Sequence, residues 1–194
     1  MNSIRTEVSK ALGIIGKYGL SGLAVNANGK VNSFMVLFST GISDKVTARQ
    51  VYKQLIRQKL IVINMQEPDS YRISLTPNGA YRLLKNHVDS LAITPMKKWD
   101  HCWRLVCFDI PKGKDKERLY FNRRLHELGF TMLRRSMWVH PFDCLEAIKE
   151  ITDYCNLTRH VNVLEISKLD DQSSRKLLRI YDSVLGATHS TTGT

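Results

Sequence analysis

Trp103–Ile110 (WRLVCFDI) is the stretch that most limits what this chain can fold into. In an extended chain successive side chains point to opposite faces. One row is then Leu105, Cys107 and Asp109, the other Val106, Phe108 and Ile110. Both rows are apolar except at Asp109. A strand apolar on both rows needs cover on both faces, so it belongs in the middle of a sheet within packed layers. Pro111-Lys112-Gly113-Lys114 turns the chain away and leaves one carboxylate, Asp109, beside a run of Lys and Arg. Two readings of Asp109 stay open. It is a metal ligand for phosphodiester chemistry, or a turn residue accepting backbone N–H bonds before Pro111.

Around this strand the pattern alternates between helix and strand. Asp115 caps an expected helix in which Phe121, Leu125 and Leu128 recur on one side. Lys116, Arg118, Arg123 and Arg124 line its other faces, and Gly129 suits the C-terminal cap. Thr131–Val139 reads as a second strand. The stripe Cys144, Ile148, Ile151 and Cys155 reads as a second helix, and Asn162–Ile166 as a third strand, with room for a further short strand in either flank. Such an order within a short span predicts a ferredoxin-like α+β sandwich over 99–170. Asp171–Leu185 is a last amphipathic segment, with Leu177, Tyr181, Val184 and Leu185 apolar. It is too short to stand alone and should dock on the body or on a second subunit. Residues 186–194 read as a polar, disordered tail, so 171–194 form helix plus tail.

The first ninety residues follow a different plan. Ile4, Val8, Ala11, Leu12 and Ile15 predict a first helix that stops near Gly16 or Gly19, and Val31–Phe38 a short buried one. Thr47 reads as an N-cap with Gln50 completing a capping box. The helix that follows places Val51, Tyr52, Leu55, Ile56 and Leu60 on one face and Arg49, Gln50, Lys53, Gln54 and Arg57 on the other. Arg pairs with guanine, Gln with adenine and Lys with phosphate, so this face has the chemistry for reading a duplex. No acidic residue falls between Lys45 and Met65. A solvated helix face is the alternative. Ile61–Asn64 and Tyr71–Leu75 then read as two strands of a ribbon, and Thr76-Pro77 opens another helix. The segment LIVIN…YRISLTPNGAYRLL resembles the wing and following helix of many winged-helix transcription regulators. That resemblance implies that the Arg49–Arg57 helix enters the major groove, with Arg72 near phosphates. Residues 1–90 are therefore expected to form a winged helix-turn-helix. Residues 91–98 are expected to be a linker, broken at Thr94-Pro95.

Charge agrees with a polyanionic partner. The chain of 194 residues carries a formal net charge of +11. Residues 1–90 hold twelve Lys and Arg against five Asp and Glu, the more basic balance of the two halves. Double-stranded DNA is the expected partner. The four cysteines (Cys102, Cys107, Cys144, Cys155) have no zinc spacing and read as reduced thiols. The N-terminus has no signal-peptide pattern, and Ala11–Val25 is interrupted by Lys17 and four glycines. A cytoplasmic protein without a membrane span is expected.

At Trp99-Asp100, W-R-L-V-C-F-D-I-P and L-G-F-x-x-L-x-x-S-M-W-V, residues 99–142 resemble the central domain of PaaX-type transcriptional repressors, regulators of phenylacetate catabolism. That domain is in turn similar to CRISPR-associated protein 2. The resemblance implies an N-terminal DNA-binding domain, a ferredoxin-like domain used for homodimerisation, and repressor activity. It also implies that Asp109 matches a proposed metal ligand, one from each subunit. The alternative function is thus a metal-dependent nuclease or nucleic-acid-processing subunit. Mg²⁺ or Mn²⁺ is needed only for that alternative; the regulator needs no cofactor, and its effector is not identified by these residues. Arg118, Arg123, Arg124, Arg134 and Arg135 form a secondary basic set: solvated surface, dimer rim or second track for DNA.

Overall fold

The computed structural model describes residues 4–18, 20–23, 42, 44–67 and 70–186. The expected helix over Val31–Phe38 lies outside the described residues. The chain divides into two compact units between His87 and Val88.

The first unit contains α1 (Ile4–Tyr18), β1 (Leu20–Leu23), α2 (Lys45–Arg57), β2 (Ile61–Glu67), β3 (Ser70–Leu75) and α3, which begins at Pro77 and runs to Ser90. Its antiparallel sheet has the order β1-β3-β2. Val8, Ala11, Leu12 and Ile15 of α1 bury against Ala48, Val51 and Leu55 of α2 and Ile73 of β3. The helical spacing read from the sequence is therefore the packing face. β1 was not legible as a strand: it is four residues of LSGL, defined by its pairing with β3 from Leu20↔Ile73 to Leu23↔Ser70.

The corner between α2 and β2 is tightly built. Lys59 takes a left-handed φ of 53°, and Leu60 follows, buried. Thr76 caps α3 as expected, its hydroxyl accepting the Gly79 N–H at 3.0 Å. The same hydroxyl donates to the Lys59 carbonyl at 2.7 Å, and the Asn78 amide donates to the Gln58 carbonyl at 3.0 Å. The start of α3 thus ties down the end of α2.

The second unit has the order β4 (Trp103–Phe108), α4 (Asp115–Glu127), β5 (Thr131–Arg134), β6 (Met137–His140), α5 (Leu145–Tyr154), β7 (Val161–Ile166), α6 (Asp171–Ile180) and α7 (Asp182–Gly186). The sheet order is β5-β6-β4-β7, antiparallel throughout. This α+β arrangement is consistent with a ferredoxin-like core. β4 is central, as its two apolar rows required. The single strand expected over Thr131–Val139 is instead a tight hairpin. Arg135 and Ser136 turn it, because four residues on each side already satisfy the pairing. The extra strand therefore lies inside this segment and not in a flank.

Both faces of the sheet are covered. On one, Val106 and Phe108 pack with Phe121, Leu125, Ile148, Ile151 and both buried cysteines, Cys144 and Cys155. On the other, Trp103, Leu105 and Val139 pack with Leu177, Tyr181 and Leu185. The C-terminal segment therefore docks on its own body, as two helices that break at Tyr181. The Tyr181 hydroxyl lies 2.8 Å from the carbonyls of both Gly129 and Val139 and donates to one of them. Gly129 ends α4 with φ +86°, and the N–H groups of Gly129 and Phe130 bond back to His126 and Leu125, a Schellman motif. The cap expected at Asp115 is one residue off. Lys114 takes the cap position with no side-chain bond, and Asp115 is the first helical residue, where its charge suits the helix dipole.

Leu91, Ile93 and Met96, in the segment read as a linker, pack on the second unit. Trp99 is buried beside Trp103, its ring N–H shared between the Cys102 and Pro141 carbonyls. Arg104 is buried on β4 and forms a bidentate pair with Asp100 at 2.8 and 2.6 Å. These contacts explain the Trp99-Asp100 and Trp103-Arg104 pattern as a structural brace.

Candidate nucleic-acid interface

α2 starts earlier than Thr47 allows. Its cap is Asp44, in extended backbone (φ −130°, ψ 147°), whose carboxylate accepts the Thr47 N–H at 2.7 Å. An aspartate three residues ahead of that N–H satisfies an orphan donor better than a hydroxyl further on, so the expected Thr47–Gln50 capping box gives way to it. Bonds from Thr47, first from its side chain and then from its backbone, hold the Asp44 carboxyl below the usual carboxylate range. The signal for this cap is an aspartate just ahead of the helix, which the sequence reading passed over.

The earlier start leaves the face pattern intact. Ala48, Val51 and Leu55 are fully buried, while Arg49, Gln50, Lys53 and Arg57 are exposed and Gln54 is half-buried. Ile56, expected on the apolar face, is 40% exposed at the edge of the stripe. Gln50, Lys53, Gln54 and Arg57 line one depression of about 410 Å³ together with Ile4 of α1. The structure thus brings four of the six sequence-predicted side chains together. Arg49 lies on the same helix, and Arg72 is exposed on β3, paired in register with Asn64 of β2. The acid-free stretch ends at Glu67, so among the described residues no carboxylate stands on α2 itself.

Asp109 has a different setting. Its backbone N–H donates to the His160 carbonyl at 3.0 Å. Its carboxylate is exposed and has no hydrogen-bond or ion-pair partner among the described residues, so the expected turn bond before Pro111 does not form. Asp109, Arg118, Asn122, Arg135 and Ser136 line a depression of about 460 Å³ at the end of β4. The Arg118 guanidinium there donates to the Ile110 carbonyl. The Asp143 carboxylate accepts the Leu145 N–H at 3.0 Å. Among the described residues no group of three or more His, Cys, Asp or Glu is arranged to hold a metal ion. Mg²⁺ and Mn²⁺ favour several oxygen ligands, and a single carboxylate lined by two guanidinium groups does not form such a set within one chain.

The five arginines of the secondary set are differently placed. Arg124 is 3% exposed and donates to Glu127 and the Leu91 carbonyl. Arg123 is exposed but stands near Asp89 at 3.8 Å and Glu127 at 3.7 Å, over the Tyr120 ring. Arg118 is held by Ile110, while Arg134 and Arg135 are exposed at the β5–β6 turn. Arg124 is thus a packing residue whose burial the sequence did not signal. No described helix is long and apolar enough to cross a membrane.

No curated protein matches the chain. The family model for the PaaX protein central Cas2-like domain matches residues 96–178, the span from before Trp99 into α6. That similarity points to a regulatory or nuclease-like function associated with nucleic acid.

Proposed function

We propose that the chain is a DNA-binding transcriptional regulator, a dimeric repressor of the PaaX type. One observation carries this reading: the outward face of α2 gathers Gln50, Lys53, Gln54 and Arg57 around one depression, with no carboxylate among the described residues that line it, on a helix that buries Ala48, Val51 and Leu55 on its other side. A rigid helix that offers Arg, Gln and Lys together suits a major groove, where Arg and Gln read base edges and Lys meets phosphate. The antiparallel β2–β3 ribbon that follows α2 suits the wing of a winged helix-turn-helix, with Arg72 as a backbone contact. In this reading the second unit pairs two subunits in the cytoplasm, and the operator carries two half-sites as a palindrome or direct repeat. Selection of bound duplexes from a random pool, with and without Mg²⁺, tests it. Specific, salt-sensitive binding is expected, and joint replacement of Arg49, Lys53 and Arg57 by Ala should abolish it. Undiminished binding by that variant would overturn the reading.

A metal-dependent nuclease is the second reading. The exposed carboxylate of Asp109, without a partner among the described residues, favours it. In one chain that carboxylate lacks companion ligands, so this reading requires oxygen donors from a second subunit or from the nucleic acid.

A further inference from the structure

The two edges of the second unit's sheet differ. β5 is four residues long, and its register against β6 shifts between Met132 and Arg134. Exposed Arg134 and Arg135 stand at its end. Short length, a register break and charge are the features that keep an edge from pairing. β7 is neither short nor broken, and it carries a single charged side chain, Glu165. It runs six residues, VNVLEI, in unbroken register with β4 from Trp103↔Ile166 to Phe108↔Val161.

The direction of its backbone groups follows from one bond. Asp109 N–H donates to the His160 carbonyl, so position 160 faces β4. Antiparallel pairs alternate between hydrogen-bonded and non-hydrogen-bonded, so Asn162, Leu164 and Ile166 also turn their backbone groups to β4. Val161, Val163 and Glu165 then turn theirs to the open edge. Beside that edge, Leu145 and Ile148 of α5 line a groove of about 230 Å³ with Val161 and Val163, and Leu145 is 61% exposed.

We infer that β7 is where a second copy of this chain docks, its own β7 lying antiparallel about a twofold axis at Val163. This register opposes all three outward residues: Val163 meets its mate, and Val161 meets the partner's Glu165 at each end. Every opposed pair exchanges two backbone hydrogen bonds. Charge supplies a second argument. The Glu165 side chain is 70% exposed and stands 3.5 Å from the Arg104 guanidinium, which Asp100 already holds from two sides, and Arg159 is exposed in the short 3-10 turn that leads into the strand. An antiparallel copy brings Glu165 within diagonal reach of the partner's Arg159 at both ends, whereas a parallel copy sets like beside like. The twofold contact consumes both open edges and leaves the blunted β5 outermost, so it closes at two subunits. The inference rests on the dimeric reading above and names the surface that reading leaves open.

Sedimentation of the full-length chain tests it through the charge pair. Wild type should be dimeric. Glu165→Arg and Arg159→Glu should each weaken the dimer roughly tenfold or more, by setting like charges together at both ends. An equimolar mixture of the two variants should recover wild-type affinity, because both ends of the mixed dimer then carry opposite charges. Arg159 is exposed, so Arg159→Glu should unfold with wild type and separates lost pairing from lost folding, whereas Glu165→Arg also faces Arg104 at 3.5 Å and is read against its own thermal midpoint. Single variants that dimerise like wild type, or a mixture that recovers nothing, would overturn the β7 surface while leaving dimerisation itself standing. A wild type that stays monomeric at every concentration would remove the surface and the dimeric reading together, whereas DNA binding by α2 is judged separately.

Discussion

Gly79 of α3 lies against the carbonyl of Leu60: a Cβ built on Gly79 would come within 1.9 Å of that oxygen. The same carbonyl accepts the Thr76 N–H at 3.0 Å. The end of α2 and the first turn of α3 are therefore in backbone contact, and only glycine allows it. Gly79→Ala should force them apart and destabilise the protein by about 1–3 kcal/mol or more, read as a lower midpoint in urea. Because α2 ends at this corner, duplex affinity should fall in the same variant.

The face of α2 makes two separable predictions. Lys53→Ala should weaken binding to all duplexes alike and lower the slope of log affinity against log salt by about 0.9. Gln50→Ala should relax the preference for one base pair, by about 1–3 kcal/mol of discrimination, with the salt slope unchanged. Titrations across salt on cognate and singly mismatched duplexes distinguish the two.

His140 makes the second unit acid-sensitive. It is 6% exposed, packed against Phe130, Phe142 and Tyr181, and its Nδ1 accepts the Phe142 N–H at 3.1 Å. Burial pushes its pKa from 6.5 down to about 4, with the charge of Arg104 adding to the fall and the backbone bond near Phe142 opposing it. The unfolded chain then binds a proton that the folded chain refuses. Stability is full above pH 6.5 and is lost as pH falls from there through 4, by roughly 3 kcal/mol in all. Denaturation across this range should show that loss, and His140→Gln should flatten it.

Asp109→Ala should change stability by less than about 0.5 kcal/mol, since the carboxylate is exposed and has no partner among the described residues. Duplex binding through α2 should be unaffected. Incubation of purified protein with labelled DNA or RNA and Mn²⁺ decides the other reading. Cleavage that Asp109→Ala abolishes, with folding intact, would shift the assignment to a nuclease.

Local signals carried much of this molecule. The double apolar row of Leu105–Phe108 put β4 in the centre of its sheet, because a strand buried on both sides has no polar row to hide. Thr76-Pro77 and Gly129 marked helix ends, because capping and positive φ are demands of single residues. The Arg49–Arg57 face was legible because helical period alone sorts its side chains from Val51 and Leu55. Tertiary structure decided the rest. β1 is a strand through its pairing with β3, and the β5–β6 hairpin emerges where two four-residue runs find each other across Arg135-Ser136. Arg124 is buried because the Leu91 carbonyl and Glu127 meet it there, which helical period could not foresee. The Asp109 carboxylate stands open because the backbone donors expected before Pro111 do not reach it. Periodicity and caps are written in neighbouring residues. Strand partners, buried charges and open carboxylates depend on what distant parts of the chain bring alongside.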